Sequence, residues 1–216
     1  MKAKDLKNSI LQMAVEGKLV PQDPADEPAS VLLERIREER RRLVAEKKIK
    51  APKGGESIIY RASDGSYYEK FVDAKGREGE PVCIEDETPF DVPEGWEWAR
   101  LSSLLLAINT GPFGSALHKS DYSDTGIPLV NPADIVDGRI STKRIKRTKL
   151  DAYERLQSYL LHAGDLVVGR RGEMGRAAII ADEQDGWLCG TGCFYAATSI
   201  QINRAYLLML FTVPLV

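Results

Sequence analysis

The chain has 216 residues, of which 43% are hydrophobic and 29% charged, an ordinary balance for a folded globular protein. A net charge of −2 gives no global electrostatic attraction to a polyanion, so any such role must rest on local clustering. Three cysteines, an odd number, and the lack of a signal peptide argue for a reducing cytoplasm without a disulfide framework.

Residues 1–20 open with a short amphipathic helix in which Leu6, Ile10, Met13 and Ala14 fall at helical spacing and Gly17 is placed to end it. Pro21 and Pro24 then force an extended link. A second helix is expected from Asp26-Glu27-Pro28 to about Lys48, with acid and proline in its first turn. Leu32, Ile36 and Leu43, helped by Val31 and Leu33, make a narrow apolar stripe, and arginine and glutamate cover the remainder of the helix. A stripe so narrow buries little alone and predicts either pairing with a partner helix or a surface position on its own domain.

Residues 49–87 are expected to be a flexible tether, with a possible hairpin where Ile58-Ile59-Tyr60 and Tyr67-Tyr68 flank Asp64-Gly65. The composition shifts near Pro89, and Trp96 and Trp98 at i and i+2 suit one face of a strand at the start of a new domain. Beyond them short strands and turns are expected, with helix only at 151–161 and over Leu101–Ile108. Gly111-Pro112-Phe113-Gly114-Ser115 reads as a tight loop.

Between Asp137 and Asp151 the cations Arg139, Lys143, Arg144, Lys146, Arg147 and Lys149 run without an acid among them, a solvated face or a phosphate-binding one. Leu166-Val167-Val168 and Ala177-Ala178-Ile179-Ile180 read as two β-runs around a glycine-rich loop that carries Arg170, Arg171 and Arg176. Arginine forks suit phosphate oxygens and the guanine edge alike, although a solvated hairpin tip has the same composition. Cys189 and Cys193 lack a zinc spacing, and His118 and His162 sit near no cysteine in sequence, so no metal site is expected. The apolar run from Tyr206 to Val216 is too short to span a bilayer and ends so abruptly that the chain is expected to be cut short.

Taken in order, these residues resemble the specificity subunits of type I restriction-modification systems. The resemblance is carried by the stretch from Leu6 to Pro24, by Glu27-Pro28-Ala29-Ser30-Val31-Leu32-Leu33-Glu34-Arg35-Ile36, by Val92-Pro93-Glu94-Gly95-Trp96 and by Gly111–Ser115. Gly126-Ile127-Pro128-Leu129-Val130 and the arginine hairpin from Gly164 to Arg176 complete it. It implies an α+β chain with a helical, coiled-coil-like spacer at 1–48, the tether at 49–87 and one β-rich target recognition domain at 88–216.

The function it implies is non-catalytic recognition of a bipartite site on double-stranded DNA, directing methyltransferase (modification) and restriction subunits to it. Arg170, Arg171, Glu173 and Arg176, with Lys143, Arg144, Lys146 and Arg147, would form the DNA face. Leu32, Ile36 and Leu43 would pair with a second copy or a complementary half-subunit. No cofactor is expected on this chain, since S-adenosylmethionine, ATP and magnesium belong on the partner subunits, and no membrane contact is expected. Two other readings stay open. One is a degenerate remnant that binds modification subunits without reading DNA. The other is a phosphate-binding enzyme, although Gly169–Gly175 lacks the lysine and helix start of a P-loop.

Overall fold

The computed structural model of the chain describes residues 3–172 and 175–211. It is a mixed α+β protein that divides into two compact units, one running through Leu106 and the other from Ala107 onward. Among the described residues no helix is long and apolar enough to cross a membrane.

The first unit begins with α1 (Ala3–Val15). Gly17 stops it at φ 67°, where the amides of Lys18 and Gly17 donate back to the carbonyls of Met13 (2.8 Å) and Ala14 (3.2 Å). That glycine also lies under Pro93, whose Cγ would be 2.6 Å from any added Cβ. Trp96, next in the same segment, donates from Nε1 to Gln22 Oε1 at 2.8 Å. Here the structure corrects the sequence reading, because the segment carrying Trp96 and Trp98 forms no strand. Pro89 and Pro93 lack the amides a ladder needs, and Gly95 turns the chain at φ 83°.

Helix α2 (Ala29–Ala45) buries Leu33, Ile36 and Arg40. The stripe expected on Leu32, Ile36 and Leu43 is therefore rotated. Ile36 is 0% exposed and already packed inside its own unit, while Leu32 and Leu43 lie half-buried on the flank. Where a tether was expected, β1 (Glu56–Arg61), β2 (Tyr67–Val72) and β3 (Val82–Cys83) form an antiparallel sheet in that order. Gly65, at φ 89°, turns the hairpin at the expected place. Ser57, Tyr67 and Glu69 make the buried face of this sheet. Glu69 accepts from Ser57 Oγ (2.5 Å) and from two nitrogens of Arg100 (3.0 and 2.6 Å), and those arginine bonds hold its carboxyl below the usual range.

A short helix follows, α3 (Leu101–Leu104), and α2 packs on it through an arginine. Arg40 is 3% exposed. Its Nη2 donates to the carbonyls of Ser102 (3.0 Å), Ser103 (2.9 Å) and Leu105 (2.7 Å), and its Nη1 pairs with Glu56. The guanidinium thus caps the negative end of α3 and ties α2 to β1.

The second unit holds β4 (Leu105–Thr110, of which 107–110 belong to this unit), β5 (Tyr122–Ser123), β6 (Ile127–Val130), β7 (Ile135–Val136), β8 (Arg139–Ile140) and β9 (Lys146–Thr148). Helix α4 (Leu150–Arg155) leads to β10 (Leu166–Gly169), β11 (Ala177–Ile179), β12 (Leu188–Cys189), β13 (Cys193–Thr198) and α5 (Arg204–Leu210). Two four-stranded sheets have the orders β11-β10-β13-β4 and β12-β6-β9-β5, and β7 pairs with β8. The helix expected over 151–161 breaks after Arg155 into a 3-10 turn at Gln157–Tyr159. The one expected over Leu101–Ile108 yields to strand from Leu105 onward.

The core of this unit includes Val130, Ile135, Leu161, Val167, Ala178, Ile180, Cys189, Cys193 and Tyr195. Cys189 and Cys193 are 0% exposed and pack in this core, and burial pushes the Cys193 thiol up to about 12 and the Cys189 thiol up as well.

Three tight turns share one device that the sequence reading missed. Asp121, Asp134 and Asp165 each accept the backbone amide three residues earlier, from His118 (2.7 Å), Asn131 (2.9 Å) and His162 (2.9 Å). All three carboxylates are buried. Asp165 is the most constrained, and burial pushes its carboxyl up to about 6 from 3.8. Between those values Asp165 holds a proton in the folded chain that it has lost in the unfolded one, so its own contribution to stability falls as pH rises from about 4 to about 6. The effect is worth up to about 3 kcal/mol. Urea unfolding of Asp165→Asn should lose that slope and leave the variant no less stable than the parent at pH 7.5. An unchanged slope would assign it to other carboxylates.

Candidate functional site

The registers of the second unit bring five loops to one end. Strands β6 and β12 run parallel, with Leu129 beside Leu188 and Val130 beside Cys189, so both finish at the same edge. Strand β9 is antiparallel to β6, and its first residue, Lys146, lies opposite Leu129. The loop before it therefore approaches that same edge. In the other sheet β10 ends at Gly169 opposite Cys193, where β13 begins. The sequence codes for this convergence in glycines. A Cβ on Gly192 would lie 2.8 Å from Pro132 Cδ, one on Gly190 2.6 Å from the Val130 carbonyl oxygen, and one on Gly169 3.2 Å from Pro132 Cβ.

Gly111 completes the set. Its amide donates to the Cys193 carbonyl at 3.1 Å, and any Cβ on it would overlap the backbone of Gly190, whose carbonyl carbon would be 2.6 Å away. Gly111 and Pro112 are buried, and the next residue, Phe113, is 50% exposed. The loop is thus rooted rigidly and presents a phenyl ring at its tip.

The expected hairpin forms, with Leu166 opposite Ile179 and Val168 opposite Ala177. Its arginines differ in their surroundings. Arg170 is held from within, its amide donating to the Gly192 carbonyl (2.9 Å) and its Nη2 to the Thr191 carbonyl (2.6 Å). Its guanidinium carbon lies 4.3 Å from the centre of the Phe113 ring, and its Nε is buried without a partner among the described residues. Arg171 is exposed at the turn. Arg176 is half-buried and donates to the Ile135 carbonyl at 3.4 Å. Glu173 lies outside the described residues.

The basic run is divided by its register. Lys143, Arg144 and Lys146 are exposed in and just after the loop that enters β9. Lys146 also carries its ammonium 5.2 Å from the centre of the Tyr122 ring. Arg147, opposite Pro128, turns to the start of β6 and donates to the Gly126 carbonyl at 2.8 Å. This end of the unit therefore offers cations and one aromatic ring on stiff supports. Phe113, Thr191 and Pro132 carried no assigned role in the sequence reading. An apolar residue between glycines in a loop was the available signal for the first.

No family model matches the chain. Two curated proteins do. The type I restriction enzyme EcoAI specificity subunit of Escherichia coli is 36% identical over 163 residues, which are 76% of this chain and 23% of that protein. The EcoEI specificity subunit of the same organism is 31% identical over 183 residues, 81% of this chain and 25% of that protein. The chain thus spans about a quarter of the length of the curated relatives it matches. Two solved structures show looser likeness. The crystal structure of the HsdS subunit from Thermoanaerobacter tengcongensis is 20% identical, covering 57% of this chain and 28% of that one, with a TM-score of 0.39. A structure describing complex assembly and conformational transition of the type I R-M system is 18% identical, covering 85% and 38%, with a TM-score of 0.41.

Proposed function

We propose that this chain, a relative of the specificity subunits of type I restriction enzymes over 76% of its length, is a DNA-recognition element that carries no catalytic chemistry of its own. The observation that carries this reading is that kinship, 36% identity sustained over 163 residues. The loop end of the second unit is its DNA face, and its target is half of a bipartite site. The first unit is the platform on which modification subunits dock, and through them a restriction subunit. A second copy or a complementary half supplies the other recognition unit. Because Ile36 is sealed, a pairing helix would use the flank of α2 that carries Leu32 and Leu43.

Division of labour on the DNA face follows from exposure. Lys143, Arg144 and Lys146 are phosphate ligands that fix orientation, and Arg171 is the arginine free enough to fork onto a guanine edge. Replacing both Lys143 and Arg144 with glutamine should weaken binding alike on all sequences and reduce the slope of log affinity against log salt by about 1.8. Arg171→Ala should instead cost about 1–3 kcal/mol on the cognate site and relax one base position. Binding titrations of the chain assembled with its modification subunits, at several salt concentrations, read both quantities. An unchanged salt slope in the double variant would remove the basic loop from the interface.

A further inference from the structure

We propose that Phe113 is a base-reading residue whose ring meets the 5-methyl group of a thymine in the major groove, and that Arg170 is the positioning residue that holds the ring there. The inference rests on the DNA-recognition reading above and adds a specificity contact to it.

Phe113 is 50% exposed at the tip of its loop, where burying it would be favourable. It stands on a root that cannot slide. Gly111 is hydrogen-bonded to Cys193 and closed against Gly190, and Ala116 donates to the Phe113 carbonyl at 3.0 Å. Arg170 lies over the ring with its centre of charge 4.3 Å from the centroid, and it is itself fixed to Thr191 and Gly192. Two different strands thus converge to fix one exposed aromatic side chain. A purely structural ring needs no such exposure, and a floppy one needs no such support.

The chemistry of the ring selects its target. A phenyl group donates and accepts no ordinary hydrogen bond, and among the groups that the base pairs display in the major groove the thymine methyl is the apolar one. A full wedge, stacked between two bases, is disfavoured by the same geometry, because the guanidinium already covers one face of the ring. The arginine, with Nη2 on a carbonyl and Nε buried, acts through the ring and not as a fork of its own.

The test uses the chain assembled with its modification subunits, once the methylated site is known. Duplexes carrying that site are made with each thymidine replaced singly by deoxyuridine, which removes the methyl group alone. For the parent chain one replacement should weaken binding about four-fold, the worth of one buried methyl group. Phe113→Ala should bind the two duplexes equally, and Phe113→Leu should keep part of the discrimination. Thermal melting confirms that each variant is folded. In Arg170→Met the ratio between the two duplexes should fall while the salt slope stays unchanged. A slope lower by about 0.9 would make Arg170 a phosphate ligand and overturn its positioning role. If no deoxyuridine matters to the parent chain, or if Phe113→Ala still discriminates, the thymine contact is overturned while the recognition reading stands. If no site is methylated at all, that reading fails and this contact with it.

Discussion

Replacing Arg40 with methionine should destabilise the first unit by about 3–5 kcal/mol, the range for breaking one side of a buried ion pair. Methionine keeps most of the aliphatic length, so the loss is chiefly polar. Three backbone carbonyls, Ser102, Ser103 and Leu105, lose their shared donor, and Glu56, only 17% exposed, loses its guanidinium partner. At about 4–8 °C per kcal/mol for a unit of this size, the melting transition should fall by roughly 12 °C or more. Adding Glu56→Gln should restore part of that loss, because it removes the stranded charge, though not the carbonyl bonds. A melting shift of under about 3 °C for Arg40→Met would mean that solvent reaches this site.

Gly111→Ala should have a comparable effect in the second unit. The added methyl group has no space, since it falls on the Gly190 backbone, and the neighbouring atoms are peptide groups that cannot rotate aside. Either the Gly111–Cys193 hydrogen bond opens or the 190–192 loop is driven off Asn131 and Pro132. We expect a loss of about 3 kcal/mol or more in urea unfolding, at the upper end for overpacking. Gly114→Ala is the internal control. That residue has φ 52° with nothing within 4 Å of the added Cβ, so only the left-handed backbone penalty of about 1–2 kcal/mol applies. Equal losses in the two variants would show that the Gly111 contact yields easily and that the loop root is not rigid.

These effects mark where the sequence was readable and where it was not. The β10–β11 hairpin was legible because two apolar β-runs flank a glycine-rich turn, and local pattern alone sets its register. Gly17 was legible as a helix stop for the same local reason. Arg40 was not, because within Arg37-Glu38-Glu39-Arg40-Arg41-Arg42 it looks like any solvated cation. Its burial depends on α3, more than sixty positions later in the chain. The β1–β2 hairpin was legible through Asp64-Gly65, but the sheet it forms with β3 was hidden by a polar composition, since its buried face is Ser57, Tyr67 and a Glu69 satisfied by Arg100. On the candidate site the cations could be named from composition. Their sorting into exposed Arg171 and Lys143, held Arg170 and diverted Arg147 depends on strand register and on the glycine contacts of distant loops. Phe113 lay in a motif already visible, but the role proposed for it rests on Arg170 above the ring, which the sequence does not reveal.

The central claim is that this chain selects a DNA sequence, and mapping base methylation across a host genome tests it most directly. The chain is expressed with its cognate modification subunits in cells that otherwise lack that methylation, and copurification establishes that the complex has assembled. Methylation should then fall at one defined sequence element, and Arg171→Ala should broaden that element at one position without abolishing assembly. Pairing of two identical copies would make the element two inverted repeats across a fixed gap, because the symmetry of the site mirrors that of the protein. An assembled complex that methylates nothing, or that methylates without sequence preference, would contradict the account.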